Sequence, residues 1–176
     1  MTERAVDFYD ESSNAYVDWA IRFEDLAVAF PRRGRPGVSY QRCEWDGWEV
    51  NCLLYRDESG HLSGVHLHYP RQVGESKAPG VSPGYTETLV RADQRHKGIG
   101  TLLLGMAVLR FGVDLERQRY TRAGYALATR VREILRTRSP YYSVAFTLDA
   151  CRSNQQKLVA TVLNGPAKPL SAPLTS

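Results

Sequence analysis

The stretch Tyr85–Phe111, YTETLVRADQRHKGIGTLLLGMAVLRF, constrains the fold more than any other part of the chain. Its first residues, Tyr85 to Arg91, are rich in Thr, Tyr and Val and read as a β-strand. Ile99, Leu102, Leu103, Met106 and Leu109 recur at helical spacing and form one apolar stripe. Between the two lies the basic, Gly-containing turn Arg95-His96-Lys97-Gly98-Ile99-Gly100-Thr101. A strand runs into a turn, and the turn opens a helix.

The first four N–H groups of a helix lack intrahelical acceptors and carry the positive end of its dipole. Gly98 and Gly100 have no Cβ, so an anion can approach the backbone there. Arg95, His96 and Lys97 add side-chain donors at the same mouth. A phosphate or pyrophosphate suits such a turn. The same residues also read as a strand–helix turn with solvated basic side chains.

Two common phosphate motifs are absent. Lys97 precedes the glycines, which excludes G-x-x-x-x-G-K-[ST], and Leu103 stands where G-x-G-x-x-G needs its third glycine. The turn instead resembles motif A of the GNAT-type N-acetyltransferases, R/Q-x-x-G-x-G/A, at Arg95-His96-Lys97-Gly98-Ile99-Gly100. Val90 falls where that family has its strand valine, and YRDESGHLSGVHLHYP resembles the family's second and third strands, with Gly64 at a position where it often has glycine.

The resemblance implies acetyl-CoA or another acyl-CoA as cofactor and a small-molecule or protein amine as acceptor. It implies backbone contacts from Leu89 and Val90 to the pantetheine arm. It places the pyrophosphate on the N–H groups of Arg95, His96, Lys97, Gly98, Ile99, Gly100 and Thr101. The amine attacks the thioester directly, so the protein must orient it, take its proton and polarise the carbonyl. Glu87, on the strand near the family's thioester, is the candidate base through a water; it also reads as a surface carboxylate on a half-buried strand. The family's proton-donating tyrosine follows N-x-x-A-x-x-L-Y on the next helix. With Thr121 first, Gly124 and Leu127 fit, but the tyrosine position is Ala128. Tyr120 and Tyr125 are nearby substitutes out of register, and Tyr125 is taken as the catalytic one. Acyl-CoA binding is therefore better supported than turnover.

Along the chain, Tyr16, Trp19, Ala20, Phe23, Ala27 and Phe30 share a helical face, which predicts one amphipathic helix over residues 13–30. Pro31-Arg-Arg-Gly-Arg-Pro-Gly37 ends it. Strands are expected at Val38–Trp45, Trp48–Arg56 and Leu62–Tyr69, the last two joined by a hairpin at Asp57–Gly60. His66 and His68 share a strand face. With no third ligand nearby they read as a solvent-facing or cleft pair, not a metal site. Pro70–Gly84 is a loop that either shapes a substrate cleft or is a mobile insertion. Residues Gly112–Gln118 are expected as a short strand. Thr121 caps a helix with Leu127, Val131, Ile134 and Leu135 inward, and Ser139-Pro140 stops it. Further strands are expected at Tyr142–Leu148 and Lys157–Leu163. The whole predicts an α/β (α+β) fold: a mixed, mostly antiparallel GNAT-like sheet flanked by helices, one domain over residues 1–165 and a proline-rich tail over 166–176.

No window approaches a membrane span, and the acidic N-terminus is no signal peptide. Cys43, Cys52 and Cys151 are odd in number and read as reduced thiols of a cytoplasmic protein. The first 30 residues hold seven acids against two arginines, and residues 110–138 hold eight arginines against Asp114, Glu116 and Glu133. A basic surface attracts a polyanionic cofactor, an acidic partner or nucleic acid. Two other functions stand beside acyl transfer: a non-catalytic CoA or partner-binding protein on the same fold, and an arginine-rich nucleic-acid binder using Arg117–Arg138. A homodimer is left open.

Overall fold

The computed structural model describes residues 5–77 and 80–137. Its centre is a four-stranded antiparallel sheet in the order of the sequence: β1 (Gly37–Trp45), β2 (Trp48–Arg56), β3 (Leu62–Gln72) and β4 (Tyr85–Val90). The mixed α+β class is as expected. The expected strands at Tyr142–Leu148 and Lys157–Leu163, and the tail over 166–176, lie outside the described residues. Among the described residues, no helix is long and apolar enough to cross a membrane.

Helices cover both faces of the sheet. On one face, α1 (Asn14–Trp19) and α2 (Phe23–Ala27) precede Phe30; Phe23, Leu26 and Phe30 pack with Val50, Cys52, Leu54, Val65 and Leu67. On the other, α3 (Ile99–Phe111) packs with Leu53 and Tyr55, and α4 (Arg122–Thr137) covers α3 through Ala128 and Val131. The strand alternation built this split: successive side chains point to opposite faces.

The helix expected over residues 13–30 is two short helices. Ser13 caps α1, accepting from Tyr16 N–H at 3.1 Å, and the backbone becomes extended at Ala20 and again at Arg22. Helices this short are not stable alone, so tertiary packing sets their limits. The break turns Phe23 and Leu26 down onto the sheet, where they are buried.

β3 runs past Pro70, where the sequence suggested a stop. Asn51 faces His68 and Glu49 faces Arg71, so Tyr69 and Pro70 together oppose Val50. That bulge absorbs the residue without an N–H. The short strand expected at Gly112–Gln118 does not form. The segment is a turn that meets the N-terminus through a parallel bridge between Phe8 and Tyr120.

α3 is not an amphipathic stripe. Ile99 and residues 101–107 are buried between sheet and α4, Gly100 is half-buried, and Leu109, expected inside, is exposed. Its close approach to the sheet depends on Gly64: a Cβ there would lie 2.6 Å from Ile99 Cγ2 and 3.0 Å from Leu103 Cδ1.

His66 and His68 are neither solvent-facing nor in a cleft. Both are buried under α3, and His68 stacks on Phe111 with ring centroids 5.4 Å apart. Thr121 does cap α4, its hydroxyl accepting from Gly124 N–H at 2.9 Å.

Candidate active site

The turn after β4 is built as the sequence suggested. A 3-10 turn at Ala92–Gln94 leads into it, and His96 and Gly98 adopt left-handed backbone with φ of 61° and 80°. No side chain caps α3. Its first backbone bond runs from Leu102 N–H to Gly98 C=O at 2.9 Å, so the Ile99, Gly100 and Thr101 amides lack intrahelical acceptors. Arg95, His96 and Lys97 are exposed around this mouth. Arg95 Nε donates to Val90 C=O at 3.3 Å and Lys97 Nζ to Gln94 Oε1 at 3.1 Å. Open amides, positive side chains and the helix dipole converge, and the donor set fits a diphosphate.

β4 ends the sheet among the described residues. In an antiparallel ladder, alternate residues turn both backbone groups to the same neighbour. Arg91 N–H bonds Ser63 C=O at 3.0 Å, so Leu89 and Glu87 also face β3, while Thr88 and Val90 face away. Of the two residues expected to bind through their backbone, Val90 has outward groups and Leu89 offers its side chain.

A cavity of about 240 Å³ wraps this edge. On the α1 side it is lined by Tyr9, Tyr16, Ile21, Tyr85, Glu87 and Leu89. On the α3 side it is lined by Thr86, Thr88, Leu104, Gly124 and Leu127, and the Leu115–Thr121 segment closes one end. Leu127 stands between the cavity and the turn: a Cβ added at Gly100 would lie 3.4 Å from Leu127 Cδ2 and 3.7 Å from Val90 Cγ2. Gly100 therefore also serves helix packing.

Glu87 sits in the cavity wall. Its Oε1 accepts from the Tyr85 hydroxyl at 2.7 Å, and its Oε2 is buried with no hydrogen-bond partner. Burial raises its pKa above the ordinary glutamate value, and the Tyr85 bond pulls it back only in part. The hydroxyls of Tyr9 and Tyr85 are also hydrogen-bonded. Glu87 is thus a buried carboxylate held by Tyr85, not a surface carboxylate.

The opposite side of β4 is held by His66. Thr86 donates to Leu67 C=O at 2.9 Å, so it accepts from His66 Nε2–H at 2.8 Å. The other ring nitrogen, Nδ1, is then an acceptor for the Thr88 hydroxyl at 2.8 Å. Burial, with a smaller contribution from His68, holds His66 neutral and lowers its pKa to about 3.

The chain has no match among protein-family models, curated proteins or solved structures.

The structure brings Glu87, Leu89 and the turn to one region and leaves Tyr125 outside the cavity. Tyr125 packs edge-on against Phe8 and Tyr120, at 5.4 and 5.7 Å. Tyr120 does line the cavity, but its hydroxyl donates to Leu115 C=O. Ala128 is fully buried in the α3–α4 core. The described residues of the Pro70–Gly84 loop touch the cavity wall only through Gly84 C=O, which accepts from Gln118 Nε2 at 3.1 Å. None of its described residues lines it, and Val73 and Gly74 N–H instead bond Gly47 C=O in the β1–β2 turn.

Sequence reading missed Tyr9, Tyr16, Tyr85 and Arg119 as cavity residues. For Tyr85 the signal was present: two residues before Glu87 on a strand, it shares that residue's face. Tyr9 had no periodic signal, because a single backbone bridge places it.

Proposed function

We propose that this chain is an N-acyltransferase that moves an acetyl or other acyl group from acyl-coenzyme A to an amine. One observation carries the reading. A cavity along the outer edge of β4 holds a buried carboxylate in its wall, and its wall residue Leu127 packs by Gly100 at the uncapped start of α3. The GNAT-like motif residues Arg95, Gly98 and Gly100 stand at that start.

When bound, the thioester supplies the activated acyl group. Ile99, Gly100 and Thr101 amides would hold the diphosphate, with Arg95, His96 and Lys97 adding charge. Val90's outward backbone groups would align the arm along β4. Glu87, with its raised pKa, would take the proton that the amine loses as it forms the amide bond. Exclusion of water by the Tyr9–Tyr16 wall would keep the acyl group for the amine.

A second reading has its own support. Ala128 is core and Tyr125 lies outside the cavity, so no tyrosine is offered to the leaving thiolate in the family's register. A non-catalytic CoA-binding protein would have this arrangement.

Two measurements test the pair. Acetyl-CoA at about 100 times its Kd should stabilise the fold by roughly 2.7 kcal/mol, and CoA release should follow over an amine panel. Glu87→Gln should lower kcat by roughly 10²–10⁴-fold with CoA affinity retained. Binding without release establishes the second reading. No binding rejects both.

A further inference from the structure

Two cysteines meet on the face of the sheet that α2 covers. Cys43 lies on β1, an edge strand among the described residues, and Cys52 lies on β2. Cys43 is opposite Val50 and Cys52 is opposite Gln41, so the two stand diagonally across one strand pair. Opposed residues share a face, and so do residues two apart along a strand. Both side chains therefore leave the sheet on the same side. Their Sγ atoms lie 3.6 Å apart, and both cysteines are free thiols.

The two differ in what can reach them. Cys52 is fully buried, in the core formed by Val50, Leu54, Val65 and Leu67. Burial, with a smaller contribution from Cys43, raises its pKa and keeps it a thiol. Cys43 is half-buried at the margin of the same core. A small reagent can meet Cys43, and Cys52 stands behind it. A reachable thiol poised beside a second one is the arrangement that oxidation carries to a disulfide instead of to higher oxides.

We infer that Cys43 and Cys52 form a peroxide-oxidisable dithiol, in which Cys43 meets the peroxide and Cys52 resolves it. The Cys43 sulfur, having lost its proton, attacks one peroxide oxygen. An S–O bond forms, the O–O bond breaks, and the second oxygen leaves with the Cys43 proton as water. The Cys52 sulfur then attacks the Cys43 sulfur. An S–S bond forms, the S–O bond breaks, and the hydroxide leaves with the Cys52 proton as a second water. The two thiols lose two electrons, and the peroxide gains them. To bond, the sulfurs must close from 3.6 Å to about 2.0 Å. Because the cysteines are diagonal and not directly opposed, the bond draws edge strand β1 towards β2. Such strain makes a disulfide easy to reduce, so the change is reversible. The pair lies at the opposite edge of the sheet from β4 and does not depend on the acyl-transfer reading.

The unaltered full chain, treated with a small excess of hydrogen peroxide without denaturant, tests this. Arg42 and Arg56 bound one tryptic peptide that holds both cysteines, and Cys151 falls in another. The peptide should become lighter by two hydrogens, and dithiothreitol should restore it. Cys52→Ala should leave Cys43 as a sulfenic acid that dimedone captures, and Cys43→Ser should leave Cys52 unmodified in the folded chain. Three results overturn the inference: a peptide that keeps both thiols at a dose that oxidises free glutathione, a Cys43 that passes to sulfinic acid with no disulfide, or a bond from either cysteine to Cys151 or to a second chain. All three are read on the unaltered chain, so the test stands even where a variant fails to fold.

Discussion

At the scale of single residues, His66 and Glu87 titrate in opposite senses for one physical reason. Burial penalises whichever form is charged. His66 is held near 3, against an ordinary value of 6.5. Between those values the unfolded chain binds a proton that the folded chain refuses, so stability falls as pH drops through this window. The slope is about 1.4 kcal/mol per pH unit, so roughly 2–3 kcal/mol is lost by pH 4.5. His66→Gln removes this proton; the difference in urea midpoint between it and the unaltered chain should shrink steadily from pH 7 to pH 4.5. A difference independent of pH would show that His66 is not held neutral. Glu87 is raised above its ordinary 4.5. Above that value the unfolded chain ionises first, so stability is lost as pH rises towards the folded pKa. Glu87→Gln keeps an acceptor for the Tyr85 hydroxyl and removes the buried charge. Its melting temperature relative to the unaltered chain should be higher at pH 8 than at pH 4.

At the scale of elements, the strands were legible because side-chain alternation is local. Trp48, Val50, Cys52 and Leu54 share a face in the sequence, and they share a core in the structure. The α3 start was legible because Gly98 must adopt positive φ. What was not legible was non-local. The apolar period of residues 16–30 continues through Ala20–Arg22, and the extended backbone there is set by how Phe23 and Leu26 meet the sheet. His66 and His68 looked like a polar face because their partners, Thr86 and Thr88 beside one and Phe111 over the other, are distant in sequence. Leu109 kept the helical period but is exposed near the end of α3. Gly64 shows how one residue joins two elements. Its hydrogen lies where a methyl would strike Ile99 Cγ2 at 2.6 Å, on a helix whose surroundings are already filled. Overpacking of this kind costs about 1–3 kcal/mol. Gly64→Ala should lower the urea midpoint accordingly, and the loss should be smaller in an Ile99→Ala background, where Cγ2 is gone, if the clash is with that methyl. Additive losses in the double variant would place the cost elsewhere.

At the scale of the whole molecule, the charge asymmetry of the sequence is partly self-satisfied. The acidic N-terminal segment lies across the basic segment between α3 and α4. Asp7 pairs with Arg119 at 3.2 Å, and Glu11 accepts from Arg122 N–H at 2.8 Å. Backbone bonds join Tyr9 N–H to Tyr120 C=O at 2.8 Å and Tyr120 N–H to Asp7 C=O at 2.9 Å. Electrostatics and backbone pairing can be separated by magnitude. The Asp7–Arg119 pair is exposed on both sides, so it contributes under about 1 kcal/mol and salt screens it. The backbone pairing, the Phe8–Tyr125 contact and the Tyr9 hydroxyl are less sensitive to salt. Asp7→Asn should therefore shift the melting temperature only slightly at 50 mM NaCl and not at all at 500 mM. Deleting residues 1–10 should cost several times more at either salt, because it removes one wall of the cavity, the backbone pairing with Tyr120 and the Phe8–Tyr125 contact. Acetyl-CoA affinity, which the proposed function puts at the start of α3, should stay close to that of the full chain. A marked loss of acetyl-CoA affinity would mean that the N-terminal segment holds the whole sheet edge in place, not one side of it.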